Sequence, residues 1–397
     1  MLNLSKQCFS SIFTRALRGG IVGLFLLEPL FALPAQYKVD YVKGNIQDKI
    51  QAVKTAASFS DNELCMQAIN FALDAEALFP NDKDVKDLVY TAVSSLSASG
   101  VSEYNGEKIS TELATVFRSY SDEDIRVIVL RKLKDFPAST NVSLVNAYVT
   151  ECVQKAKKMD SVFLTALETL QYVGNSTSFT ILFVADLMGI WPEYRSQIQA
   201  AYAPLANDCE GEILTVLSNG TTEKKLEILS IVNQNSQISR KISGEVAENA
   251  LSDSIYNLGE MNDVSSAQLE LQIASLQTIS DTQWTRAASL ATSYFEVARK
   301  EYENDLLTPE QFSNIIQNIA SVASSETGQV LSSYLDFLNK AMERKNPPVE
   351  AVVLSVINAL GGLGDKTAFD YLLYVTYLDY PETIVSAARV ALSKLKW

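Results

Sequence analysis

Apolar residues recur three and four positions apart through most of the chain, and short clusters of Asp, Asn, Ser, Gly or Pro interrupt them. That period marks successive amphipathic helices, while strand-type alternation is scarce. The pattern predicts two helices between Asp48 and Pro80, broken at Ser58-Phe-Ser-Asp61, with Asp61 placed to cap the second. Pro80-Asn-Asp82 is the next stop, and a further helix is predicted from about Asp84 to Leu96. Ser99-Gly100 and the polar stretch Ser102 to Glu107 mark the break after it.

A longer period overlies the helical one. Three apolar residues spaced by three, closely followed by a turn cluster, occur at Leu130/Leu133/Phe136, Leu167/Leu170/Val173 and Leu226/Leu229/Val232. They recur at Ile273/Leu276/Ile279, Ile316/Ile319/Val322 and Ile357/Leu360/Leu363, with weaker copies at Val53/Ala56/Phe59 and Val93/Leu96/Ser99. The middle positions lie 40, 37, 37, 59, 47, 43 and 41 residues apart in chain order. All but one of these intervals approximate a helical hairpin, the unit of an array in which each hairpin buries its apolar face against its neighbours. The interval of 59 contains Phe179 to Ala206, with Trp191-Pro192 in its middle, and is expected to hold an additional helix.

Two copies agree residue by residue. Leu170-Gln-Tyr-Val-Gly-Asn-Ser-Thr-Ser-Phe179 aligns with Leu360-Gly-Gly-Leu-Gly-Asp-Lys-Thr-Ala-Phe369. Gly174 and Gly364 suit the left-handed residue that ends a helix, and Asn175 and Asp365 suit the N-cap of the next. The C-terminal hairpin, Ala359-Leu-Gly-Gly-Leu-Gly-Asp365, Ala368 to Val375, Asp379-Tyr-Pro381 and Ile384 to Leu392, resembles a HEAT-type repeat of the short bacterial kind. The resemblance is clearest over residues 352–395. Ser386 stands where the family often has arginine, and the first helix of the pair is expected to run on through Thr376-Tyr377-Leu378. Ala68 to Asp82 resembles the second helix and exit of a tetratricopeptide repeat. Both resemblances imply an all-α α-solenoid, a superhelical stack of antiparallel helical hairpins. The spacing predicts about seven or eight hairpins over residues 36–397, with possible subdivisions near 100–107 and 258–266.

Composition narrows the chemistry. The chain has 397 residues, no histidine, 4 cysteines and a net charge of −14. Without histidine there is no Ser-His-Asp or Cys-His pair and no HExxH zinc site. The acidic balance argues against a nucleic-acid surface, which needs Lys and Arg to replace condensed counterions. The glycine patterns that cradle phosphates are missing, and neither a metal nor a cofactor set can be assembled from the sequence.

Residues 1–35 carry Lys6, Arg15 and Arg18, a short apolar run from Gly20 to Leu27, and small residues at Ala32 and Ala35, the parts of a secretory signal peptide. Its removal takes three bases and one acid from the 33 and 47 of the chain, leaving −16. The expected product is exported to the periplasm or cell envelope, without an integral membrane span. Cys65, Cys152 and Cys209 then remain, either as buried thiols or with two of them joined. Asn141, Asn175 and Asn219 open glycosylation triplets at about the frequency chance supplies, and decide nothing.

Acidic pairs are the remaining catalytic candidates. Asp122/Asp124, Asp208/Glu210 and Glu301/Glu303 are each two apart, a spacing that points helical side chains away from each other. No catalytic residue is assigned. Tyr371, Tyr374, Tyr377 and Tyr380 recur every third residue on one predicted helix and would cover half its circumference. Some of them are expected in the core and the rest in an exposed, partner-binding strip. Trp284, Tyr294, Phe295 and Trp191 with Tyr194 are expected to pack in the core or against turns. The expected function is non-catalytic: an exported scaffold with an acidic face for protein partners, basic ones favoured. The alternatives are a carbohydrate-active or carbohydrate-binding helical toroid and a structural component of the envelope.

Overall fold

The computed structural model describes residues 33–256 and 264–396. The expected leader therefore lies outside the described residues, apart from its last three, where the first helix begins. Among the described residues the regular structure is helical, save for one isolated bridge between Asp365 and Lys396. No described helix is long and apolar enough to cross a membrane. The chain divides into two compact units, one ending at Asn141 and the other beginning at Val142.

The first unit holds α1 (Leu33–Lys43), α2 (Ile46–Ala57), α3 (Asn62–Leu78), α4 (Lys83–Ser95), α5 (Glu103–Ser119) and α6 (Glu123–Asp135); α7 (Ser139–Gln154) spans the division. Consecutive helices pair, and in addition α2 packs on α4, α4 on α6 and α3 on α5. Hairpins are thus stacked in two rows, one of even-numbered and one of odd-numbered helices. Local chemistry sets the helix ends. Asp61 accepts from Leu64 N at 3.2 Å, and Asp82 accepts from Asp84 N and Val85 N at 2.9 and 3.1 Å, each satisfying orphan donors of a first turn. The polar stretch after Ser102 is not a break: Ser102 caps α5, which starts at Glu103.

The second unit holds α8 (Ser161–Val173), α9 (Ser176–Leu187), α10 (Arg195–Ala206), α11 (Glu210–Ser218), α12 (Thr222–Gln234), α13 (Arg240–Tyr256) and α14 (Ser266–Thr282). It continues with α15 (Ala288–Glu303), α16 (Pro309–Ser321), α17 (Thr327–Glu343), α18 (Glu350–Leu363), α19 (Phe369–Val375) and α20 (Glu382–Ser393). The two-row rule holds here as well. Helices α12, α14, α16, α18 and α20 pack in succession, while α9, α11, α13 and α15 form the other row and α17 packs on α19.

Every apolar triplet falls on an even-numbered helix or the turn that ends it: α2, α4, α6, α8, α12, α14, α16 and α18. All eight middle positions, from Ala56 and Leu96 to Ile319 and Leu360, are fully or almost fully buried. The long-range period is therefore that of the even-numbered helices within each unit. Between α8 and α12 lie three helices, where the other intervals hold one. The expected single extra helix is in fact a pair. Helix α10 escapes the triplet pattern because its buried face is Ile198, Ala201, Tyr202, Ala203 and Ala206, with Pro204 among them.

The two aligned turns differ in one respect. Asn175 and Asp365 are both N-caps, and Gly364 has φ +67°, where a side chain would be strained. Gly174 is extended instead (φ −62°, ψ 163°). Its lack of a side chain serves close approach, since a Cβ would stand 2.3 Å from Leu170 O and 2.7 Å from Leu205 Cδ1. The helix before Pro381 also ends earlier than expected. Helix α19 stops at Val375, and Thr376, Tyr377 and Leu378 close tighter turns onto the carbonyls three residues back. The residue before a proline disfavours the α conformation, and the chain is tightening toward Tyr380-Pro381.

Polar side chains stitch successive hairpins together at separations that local patterning does not register. Asn62 donates to Ser97 O (2.6 Å) and accepts from Ser97 N (2.9 Å). Asn207 makes the same two-point clamp with Gln237 O and Ser239 N, both at 2.9 Å. Lys132 reaches Leu96 O (2.6 Å) and Lys224 reaches Leu187 O, each placing a cation where a helix ends in unsatisfied carbonyls.

Candidate interaction surface

Helix α17 separates two classes of side chain. Leu331, Tyr334, Leu335, Leu338 and Asn339 form its buried stripe, while Phe337, Asp336, Lys340 and Glu343 lie on the other side. Phe337 is 46% exposed. It ends an aromatic column that starts in the core, where Phe295 and Phe312 meet Tyr334 edge-on with centroids 5.2 and 5.8 Å apart. Tyr334 stacks on Phe337 at 6.0 Å. Arg299, from α15, lays its guanidinium 4.7 Å from the Phe337 centroid and 5.5 Å from that of Tyr334. Glu303 holds this guanidinium at 2.8 Å. A cation over an aromatic face contributes about 0.5–1 kcal/mol where water has access. The ring is therefore both presented and held still.

Helix α19 extends the face. Asn339 Nδ2 donates to Tyr371 O at 3.2 Å, and the Tyr374 hydroxyl donates to Glu343. That bond to a carboxylate raises the Tyr374 pKa, because losing the proton would set two anions together. The four tyrosines are not a strip on one helix. Tyr371 is half-buried, Tyr374 is 37% exposed, Tyr377 is 75% exposed on the turn beyond α19, and Tyr380 is only 8% exposed. The early end of α19 turns Tyr380 inward, where its hydroxyl finds no hydrogen-bond partner and burial raises its pKa. The outward pair is Tyr374 and Tyr377. Phe337 and Arg299 carry no repeating signal of their own, and only the packing of α15 on α17's aromatic column brings them to this surface.

The carboxylates Glu296, Glu303, Asp336, Glu343, Asp370 and Asp379 lie on or beside these helices together with Arg299, Lys300, Lys340, Arg344 and Lys345; Glu303 is paired with Arg299 and Asp336 with Lys340. The acidic pairs considered from sequence are dispersed. Asp122 is a helix cap, Glu210 is paired with Lys241, and Glu303 faces Arg299 while Glu301 is fully buried.

Trp191 and Trp284 pack at turns. Trp191 is buried and donates to Lys157 O at 2.9 Å. Trp284 donates to Glu248 at 2.6 Å, beneath an Arg286 that also pairs with Glu245 at 2.6 Å. Cys65, Cys152 and Cys209 are free, buried thiols, so none of the three pairs with another. Asn141 is buried against Ser110, which removes it as a glycosylation acceptor in the folded chain.

A second concavity lies where α12 is flanked by α10 and α14. A groove of about 680 Å³ runs between Arg195 and Gln199 on one side and Glu270 on the other, floored by Leu226, Ser230 and Asn233. Arg195 bridges it, bonding buried Asp186 at 2.9 Å and Glu227 at 3.1 Å. Asp186 also accepts from Gln199 (3.0 Å) and Tyr202 (2.9 Å), so its charge is fully satisfied and serves to hold α9 to α10.

No family model matches the chain, and no curated protein matches it at a significant level.

Proposed function

We propose that the chain is an exported, non-catalytic helical-repeat scaffold that docks another protein on the face built by α15, α17 and α19. The observation that carries this reading is the presentation of Phe337 and Tyr374, each held by a neighbouring side chain, with Tyr377 exposed beside them. Aromatic rings fixed before contact lose little freedom on binding, so more of their burial is available as affinity. The acidic balance of the chain favours a partner with apolar side chains flanked by Lys or Arg, and binding that weakens with salt. The resemblance of residues 352–395 to HEAT-type repeats fits the same reading, since that family implies binding rather than chemistry.

The test is a photo-crosslinking residue at position 337 or 377, with position 390 on the opposite row as the control, in cells that make the protein. Crosslinks to one partner from 337 and from 377, the yield from 337 falling in a Tyr377→Ala chain, that from 377 falling in a Phe337→Ala chain, and both falling at high salt, would support the reading. Equal labelling from 390, or no adduct from any position, would sink it.

A further inference from the structure

On α15 the buried stripe runs Ala291, Tyr294, Phe295, Ala298 and then Glu301. A carboxylate thus occupies a position where the pattern calls for an apolar residue. On α14 the fully buried Gln272 stands in the same relation to Leu271, Leu276 and Ile279. The two are linked through Tyr294, which is also fully buried and whose hydroxyl donates to Gln272 Oε1 at 3.4 Å. Neither carboxylate oxygen of Glu301 makes a hydrogen bond of good geometry, nor does Gln272 Nε2, although Gln272 and Tyr294 both lie beside the carboxylate. Three unsatisfied polar atoms in one core are costly in a native structure, and rule-breaking positions of this kind tend to serve a purpose other than stability.

No base offsets the burial. Gln272 and Tyr294 favour the charged form of Glu301, but desolvation outweighs both and pushes it up to about 7. The charged groups of the neighbouring helices are directed elsewhere. Arg299 and Glu303 pair on the far side of α15, and Glu245 and Glu248 of α13 hold Arg286. Glu270 and Asp281 of α14 and Glu310 of α16 are exposed. Tyr302 and Tyr334, the other titratable groups of this core, are raised by burial and stay neutral with Tyr294.

We propose that Glu301, Gln272 and Tyr294 form a proton-operated latch: Glu301 is held in the core as the neutral acid and, on giving its proton to solvent, is driven to rehydrate, loosening α15 from α13 and α16. The neutral acid has a hydroxyl to donate and no charge to solvate, so the core tolerates it; the carboxylate has neither advantage. The sign follows from the raised value. The packed state keeps the proton to about 7 while the opened state releases it near 4.5. The opening equilibrium therefore grows about tenfold per pH unit between those values and levels off above them. The latch is a property of the chain alone and stands whether or not the docking face is used.

Two measurements on the intact chain test it. The infrared band of a protonated carboxyl should persist up to about pH 7 and be missing from Glu301→Gln. Hydrogen exchange in α15 and α16, corrected for the intrinsic rate, should accelerate with pH in the native chain and stay flat in the isosteric Gln variant. A carboxyl band confined to the range near 4.5 would overturn the proposal, as would the same exchange profile in both chains.

Discussion

Trp284 lies so close to Gly244 that a Cβ on the glycine would stand 2.7 Å from the indole Cδ2. The glycine is in the middle of α13, where it forfeits helix propensity, and what it provides is the flat bed on which the ring rests. The ring in turn carries Arg286, whose guanidinium is 4.8 Å from its centroid, and donates to Glu248. Gly244→Ala would gain about 1 kcal/mol of helix propensity but force the indole out. The expected net result is a loss of about 1–3 kcal/mol, with a shift of tryptophan emission toward that of a solvated ring. A chain of unchanged or raised melting temperature would show the contact to be compliant.

The two-point clamps are expected to be worth more than single bonds. Asn207→Ala leaves both Gln237 O and Ser239 N without their partner. The loss should be about 1–2 kcal/mol, read by denaturant unfolding, with faster exchange at the Ser239 amide. Asn62→Ala should do the same at Ser97.

Tyr380 and Tyr377 should respond in opposite ways. Tyr380→Phe removes a buried hydroxyl that has no partner, so stability should hold or rise by up to about 1 kcal/mol. Tyr377→Ala removes an exposed ring and should leave stability within about 0.5 kcal/mol while reducing partner capture. Melting curves and crosslinking yields on both variants separate the two roles.

The thiols should be inert while the chain is folded. Burial pushes Cys65 up to about 12 and Cys209 up to about 11, and raises Cys152 as well. Raised thiols are protonated at pH 8, and the protonated form is a poor nucleophile. A Cys8→Ser chain should therefore give no colour with a disulfide reagent until denaturant is added, and then three equivalents. Rapid reaction of the folded chain would place at least one of these sulfurs nearer the surface.

Removing the cation from the aromatic face should be mild. Arg299→Met keeps the stem over Phe337 and Tyr334 but deletes the charge. The expected loss is about 0.5–1 kcal/mol, measured against Glu303→Gln to separate the ring contact from the ion pair at 2.8 Å.

Helix ends were largely legible from local residues. Asp61, Asn175 and Asp365 cap as their spacing predicts, because a cap is a bond to an amide two or three residues away. Gly174 misled for the opposite reason. Its sequence context matches that of Gly364, but its backbone is extended, and a Cβ there would meet Leu170 O of its own helix and Leu205 Cδ1 from thirty-one residues on. The tyrosine repeat misled in the same way, since a period of three assumes that the helix continues, and α19 ends before the repeat does.

By itself the sequence determined that the fold is all-α, where the early helices break and several are capped, and that apolar triplets recur about every forty residues. Those properties come from hydrogen bonds and apolar spacing within a turn or two of chain. Tertiary structure alone decided that Tyr380 faces in and Tyr377 out, that Arg299 covers Phe337, and that Glu301 is buried beside Gln272 and Tyr294 with no base to pair it. Each depends on which side chains a neighbouring helix brings to the contact, and pairings across hairpins leave no period in the sequence.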